Sequence, residues 1–141
     1  MAYALEHGSR PATIGLVLAT SPLALLAWIG EKFLEWSDEA PALDEILASV
    51  SLYWLTETFA RCIYPYRGFF KGGERPKVEK PSGYSFFPKE LVPTPRSQAA
   101  AAMNLVVFKQ HTSGGHFAAM EKPVELLEDV EEWVKVVWKG S

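Results

Sequence analysis

A glycine pair followed at once by a histidine constrains this chain most: Thr112-Ser113-Gly114-Gly115-His116-Phe117-Ala118-Ala119-Met120-Glu121. The run Asn104-Leu105-Val106-Val107-Phe108 ahead of it predicts a strand, and the segment from Lys122 to about Val137 behind it predicts a helix. Two glycines between them permit a sharp backbone turn. An imidazole is thereby set on a loop just past the C-terminal end of a strand, the edge where open α/β sheets gather ligands and catalytic groups. Histidine is also the side chain best suited to moving protons near neutral pH. The same spacing equally suits a plain loop histidine with no chemistry.

Gly83-Tyr84-Ser85-Phe86-Phe87 predicts a second strand, ended by Pro88, with Lys89-Glu90-Leu91 after it. Alanine-rich Gln98 to Met103 predicts a short helix between the two strands. Strand, helix, strand makes a small parallel crossover unit. The last helix should lay Val124, Leu127, Val130, Val134 and Val137 on the sheet. Adjacent parallel strands lie about 4.8 Å apart, so Glu90 and His116, each on the loop after its strand, can meet. A carboxylate so placed fixes the imidazole tautomer and stabilises the imidazolium, the orienting half of a nucleophile–histidine–acid system. An exposed loop carboxylate is the alternative for Glu90. Two parallel strands are not a self-sufficient core, since such strands want both faces and both edges covered.

Residues 1–82 read as helical. Tyr3 to His7 suits a helix end closed by Gly8, Arg10-Pro11-Ala12-Thr13 a break, and Ile14 to Leu18 a short helix. Ser21-Pro22 is a helix start, serine as cap and proline in the first turn. Leu25, Leu26, Trp28, Ile29, Phe33 and Trp36 form the broad apolar face of the helix that follows, which Ser37-Asp38-Glu39-Ala40-Pro41 ends. A second long helix is expected from about Leu43 to Ile63, carrying Ile46, Leu47, Val50, Tyr53, Trp54 and Phe59. Tyr64-Pro65-Tyr66 leaves it, because proline disfavours helical geometry in the residue before it. Arg67 to Ser82 reads as a polar, turn-rich linker.

With 141 residues, 48% of them hydrophobic and 22% charged, the chain suits one modest globular domain. A net charge of −3 gives no basic footprint for nucleic acid. The single cysteine, Cys62, excludes an internal disulfide framework, fits a reducing cytoplasmic setting, and in its apolar helical context reads as an inert core thiol. There is no zinc-type Cys/His spacing, and neither a metal nor a cofactor is expected. The longest apolar run, Leu23 to Gly30, is too short to span a bilayer, and the first residues do not form a signal peptide.

The segments Gly83-Tyr-Ser-Phe-Phe-Pro-Lys-Glu90-Leu and Gly114-Gly-His116-Phe-Ala-Ala-Met-Glu121 resemble the acid and histidine segments of epoxide hydrolases of the microsomal and fungal type. Ser9-Arg-Pro-Ala-Thr-Ile-Gly15, Ser21-Pro-Leu-Ala-Leu-Leu-Ala-Trp-Ile-Gly-Glu-Lys-Phe33 and Leu52-Tyr-Trp-Leu-Thr-Glu-Thr58 resemble that family's lid helices. The resemblance covers almost the whole chain in the family's order. It implies an α/β protein with a partial α/β-hydrolase fold: a helical lid with its linker over residues 1–82, then the last two parallel strands and the C-terminal helix over residues 83–141. It also implies two-step hydrolysis of a small apolar epoxide by water to a vicinal diol. An aspartate first forms an alkyl ester, which a histidine–carboxylate pair then hydrolyses. Residue by residue, His116 matches the general base and Glu90 its acid partner. Tyr66 and Tyr3 match the two lid tyrosines that hydrogen-bond to the epoxide oxygen, with Tyr64 the rival of Tyr66. Packing aromatics are the alternative for these tyrosines. No nucleophile turn occurs in residues 1–82, and Asp38, Asp44 and Asp129 are the only aspartates. The isolated chain is therefore expected to be inactive. A truncated gene product or a non-catalytic helical interaction module is the alternative to an enzyme, and a homodimer is a further expectation.

Overall fold

The computed structural model describes residues 2–70, 72 and 76–139. These fall into two compact units, one formed by Met1–Leu34 with Ala42–Glu74 and the other by Glu35–Pro41 with Arg75–Ser141.

The first unit is helical. Helix α1 spans Ala2–Ser9 and α2 Pro11–Leu18. The expected break at Arg10–Thr13 shrinks to Arg10 alone, because Pro11 occupies the first helical position, where its missing N–H is not needed. Helix α3, Pro22–Trp36, starts where Ser21 predicts: the Ser21 Oγ accepts the Ala24 amide at 3.3 Å. Helix α4 is shorter than expected and ends at Thr56. The Thr56 hydroxyl donates to the Leu52 carbonyl and meets the Thr58 hydroxyl at 2.8 Å. Glu57 turns left-handed with φ 52°, and the Glu57 and Thr58 amides close back on the Trp54 and Tyr53 carbonyls at 3.3 Å. That is a Schellman closure built without glycine. Two one-turn helices follow, α5 (Phe59–Cys62) and α6 (Tyr66–Phe69). Cys62 is exposed rather than in the core, although its sulfur is part-buried against the Phe59 carbonyl. Leu18, Leu25, Ile29, Phe33, Ile46, Val50, Phe59 and Ile63 form the buried core of this unit.

The second unit holds strands β1 (Val78–Phe86) and β2 (Met103–Gln110), paired in parallel, with helix α7 (Arg96–Ala102) in the connection. Of the linker expected over Arg67 to Ser82, the first residues lie in α6, residues 71 and 73–75 lie outside the described residues, and the part from Val78 on is strand. Its last residues extend β1, with a register shift at Pro81, which has no N–H to give to the ladder. Tyr84 pairs with Phe108 and the two rings stack at 5.8 Å. The short helix α8 (Ala118–Glu121) leads into α9 (Pro123–Val137).

The inward face of α9 differs from the valine stripe. Val124 is 63% exposed, and Leu127, Val130 and Val134 are exposed as well. Leu126, Asp129, Val130 and Trp133 line the cavity beside β1, so Val130 of the stripe reaches it, and Asp129 is 7% exposed. Asp129 is satisfied there: its Oδ2 accepts the Ser85 hydroxyl at 2.6 Å and the His111 Nε2 at 2.7 Å. A polar anchor on the strand ends thus lies on the same helix face as the apolar Leu126, Val130 and Trp133.

Candidate active site

The end of β1 and the loop after β2 are sewn together. His111 donates its amide to the Phe86 carbonyl at 2.9 Å, and Lys89 to the Gly114 carbonyl at 3.1 Å, beside a parallel bridge between Lys89 and Gly115. Gly114 takes φ 99°, a conformation that side chains rarely adopt. Gly115 is required by space, since a Cβ there would lie 2.6 Å from the Trp36 carbonyl oxygen.

This turn delivers the imidazole to the carboxylate. His116 Nδ1 donates to Glu90 Oε1 at 2.7 Å, and the same oxygen accepts the Leu91 amide at 2.7 Å. The Nδ1 proton is thereby held toward Glu90, leaving Nε2 as the nitrogen that can accept a proton. Both side chains are partly exposed, so the pair orients more than it stabilises. The Trp36 ring stands edge-on to His116 at 5.2 Å and the Phe117 ring at 5.1 Å.

The loop is also tied to the segment after α3. His116 donates its amide to the Trp36 carbonyl at 2.9 Å, and Gly114 donates to Asp38 Oδ2 at 2.8 Å. Glu121 Oε2 accepts the Asp38 amide at 2.6 Å and the Glu39 amide at 3.3 Å, while its Oε1 accepts the Phe117 amide at 3.2 Å.

The tyrosines lie in the helical unit. Tyr3 and Tyr66 meet edge-on with ring centroids 5.9 Å apart, and both are partly buried. Tyr64 is exposed, with the Arg67 guanidinium over its ring. Burial, followed by the neighbouring Tyr3 hydroxyl, pushes the Tyr66 phenol up and keeps it protonated. His7, 5% exposed, packs edge-on to both rings, at 5.7 Å from Tyr3 and 4.8 Å from Tyr66. Its Nε2 accepts the Trp28 indole N–H at 3.1 Å, and its Nδ1 is buried without a partner. Burial and then the Lys32 ammonium hold His7 below its ordinary value, so it is neutral. Tyr53 is raised by burial and by the Cys62 thiol, and Cys62 is raised by burial, opposite to what a nucleophilic thiol needs.

Sequence reasoning passed over His7, His111, Asp129, Asp38 and Glu121 as site-forming residues. Only long-range contacts reveal them: Asp38 and Gly114 are 76 positions apart, and Ser85 and Asp129 are 44 apart. The one local signal was Glu121 itself, four residues beyond Phe117 in the histidine motif. Among the described residues no group of His, Cys, Asp or Glu could hold a metal ion, and no single helix is long and apolar enough to cross a membrane.

No protein-family model matches the sequence. The chain is 58% identical over 143 residues to a Dothistroma septosporum protein whose name marks it as an epoxide hydrolase by inference; the match takes in 98% of this chain and 34% of that protein. It is 31% identical over 147 residues to epoxide hydrolase 1 of Sus scrofa, across 91% of this chain and 32% of that one. The structure of Aspergillus niger epoxide hydrolase superposes with a TM-score of 0.90 at 52% identity, over 97% of this chain and 36% of that chain. Juvenile hormone epoxide hydrolase from Bombyx mori gives 0.86 at 26% identity, over 96% and 39%. The chain thus spans about a third of the length of the curated relatives it matches. With similarity of one kind along nearly its whole length, and with two parallel strands that match in structure as well, this chain corresponds to the C-terminal part of an epoxide hydrolase and carries part of the α/β-hydrolase fold.

Proposed function

We propose that the protein to which this chain corresponds adds water to a small apolar epoxide and releases a vicinal diol, with residues 1–82 serving as lid and residues 83–141 as part of the core. The observation that carries this reading is the 2.7 Å bond between His116 and Glu90 on the loops after two parallel strands. In the first step a carboxylate oxygen attacks an epoxide carbon and the carbon–oxygen bond of the ring breaks. Tyr3 and Tyr66, as neutral phenols, donate hydrogen bonds to the oxygen that becomes an alkoxide. In the second step His116 takes a proton from water at Nε2, the hydroxide attacks the ester carbonyl, and Glu90 stabilises the imidazolium. The carbonyl carbon–oxygen bond of the ester then breaks, the imidazolium and the hydroxyl of the tetrahedral intermediate give their protons to the two alkoxide oxygens, and the diol leaves with the carboxylate restored.

None of the three aspartates suits the first step. Asp38 is bonded to the Gly114 amide, Asp129 is buried between Ser85 and His111, and Asp44 lies in the first turn of α4. The nucleophile therefore lies outside these 141 residues in this reading, and the chain alone turns over no epoxide. The exposure of Tyr64 supports Tyr66 over its rival. The single cysteine supports a cytoplasmic setting, and the exposed stripe on α9 supports cover by further protein, either the rest of the enzyme or a second copy in a homodimer. A non-catalytic helical module would leave the Glu90–His116 pair without a purpose.

The test is a chimera in which this chain replaces the matching third of its 58% identical fungal relative, assayed for diol formation from a styrene-type epoxide. The chimera is expected to turn over and the chain alone to be silent. His116→Ala is expected to lower turnover by about 10²–10⁴-fold. Tyr66→Phe should slow ester formation, while Tyr64→Phe should leave it near that of the parent. A folded, active chimera that is indifferent to His116→Ala would overturn the reading.

A further inference from the structure

His116 sits in a turn whose amides are taken up by the segment after α3 and by Glu121 four residues beyond the turn. Gly114, His116 and Phe117 donate to Asp38, to the Trp36 carbonyl and to Glu121, respectively. Glu121 also accepts the Asp38 and Glu39 amides, so one carboxylate holds both sides of the junction. Asp38 and Glu121 are partly buried, where charge-assisted hydrogen bonds are stronger than at a wet surface. Neither carboxylate touches the imidazole. Their bonds run to the backbone on either side of it, while the Trp36 ring closes its edge.

We infer that Asp38 and Glu121 are positioning residues for His116: a two-carboxylate clamp that fixes the backbone of the Gly114–Phe117 turn, and with it the angle at which the imidazole meets Glu90. The inference rests on the functional reading of the Glu90–His116 pair. A loop containing two glycines would otherwise sample many conformations, and a base displaced by about 1 Å loses much of its effect. The clamp removes that freedom with side chains that take no part in the chemistry. It also places the residues directly after α3 in charge of the base.

The test uses the chain itself, labelled with ¹⁵N at its three histidines, together with amide exchange read by mass spectrometry. In the parent, His116 should show a single tautomer with the proton on Nδ1. Asp38→Ala should mix the tautomers and speed exchange in the Gly114–Phe117 turn by about tenfold or more, the loss expected of hydrogen bonds to a charged acceptor. Asp38→Asn, whose amide oxygen still accepts the Gly114 N–H, should restore both readouts. Should Asp38→Ala fail to fold, Glu121→Gln decides, because it keeps one acceptor and gives up the other; it should loosen the turn and blur the tautomer. Faster exchange with an unchanged His116 tautomer, or a Glu121→Gln chain identical to the parent, would overturn the proposal. Glu90→Gln serves as the reference. If it too leaves the tautomer unchanged, the pairing itself fails and the proposal falls with it, a result distinct from failure of the clamp.

Discussion

In the helical unit Leu25 is 1% exposed, with seven further apolar side chains buried beside it, from Leu18 to Ile63. In the α/β unit Phe87, Ala99 and Val107 are the buried apolar residues among those described, and Leu127 and Val134 stand in solvent. The first unit is organised by apolar burial in the ordinary way. The second is organised by hydrogen bonds: Asp129 to Ser85 and His111, Glu90 to His116, Asp38 and Glu121 to the loop amides. The contrast follows from what each unit contains. Helices can close a core among themselves, whereas a two-stranded parallel sheet has faces and edges that only further strands and helices can cover. Its hydrogen bonds join strands, loop and helix within the chain, although the Ser37 hydroxyl and the Trp133 indole N–H are buried without a partner.

The largest effect should come from the core that is already closed. Leu25→Ala should destabilise the helical unit by about 2–5 kcal/mol, the range for emptying a well-packed leucine site, read as a shift of the urea midpoint. Val134→Ser on the exposed face of α9 should change stability by no more than about 0.5 kcal/mol, yet shift a sizing-column peak toward smaller species if that stripe drives association. A large loss from Val134→Ser would break the comparison, because it would mean that the stripe is already covered.

A middle-sized effect is expected at the polar anchor. Asp129→Ala strands the Ser85 hydroxyl and the His111 ring and should cost about 1–3 kcal/mol, with α9 losing amide protection before α3. Asp129→Asn keeps an acceptor and should recover part of it. Equal protection of α9 in Asp129→Ala and parent would show that the helix is held by apolar contact after all.

These cases also mark how far the amino-acid order could be followed. The strand–turn–helix around His116, the start of α3 at Ser21-Pro22, and the meeting of Glu90 with His116 were legible because each depends on residues close in sequence or on strand adjacency alone. The face of α9 was not. Valine periodicity pointed to Val124, Leu127, Val130, Val134 and Val137; of these Val130 lines the cavity beside β1 with Leu126 and Trp133, and the bonds from Ser85 and His111 bring the carboxylate of Asp129 onto that face. The break after Thr56 was hidden for a different reason: Glu57, an ordinary helix former, takes the left-handed conformation normally left to glycine. Cys62 follows from that break, since residues beyond it no longer continue the face of α4. Asp38 was unreadable because nothing near it in sequence announces a partner 76 positions away, and Glu121 showed only its local half, the Phe117 amide four residues back.

The smallest expected effect, and the one that sharpens the comparison on the helical side, concerns His7. This unit does contain a polar group in its core, yet one that is held neutral. Burial and the Lys32 ammonium place the folded-state value of His7 below the ordinary 6.5. Above that pH the ring is neutral in both folded and unfolded chains and stability is full. As the pH falls through 6.5 the unfolded chain takes up a proton that the folded chain refuses, so stability declines until the lower folded value is passed and then declines no further from this source. The parent should therefore lose more stability than His7→Gln between about pH 8 and about pH 5, with one proton at stake. The comparison of the two urea series cancels whatever the two chains share. His7→Gln can still accept the Trp28 indole N–H, so packing around Tyr3 and Tyr66 is kept while the titrating group is removed. Parallel pH curves for the two chains would mean that His7 is solvated or paired in the folded state, and the neutral core beside the tyrosines would have to be redrawn.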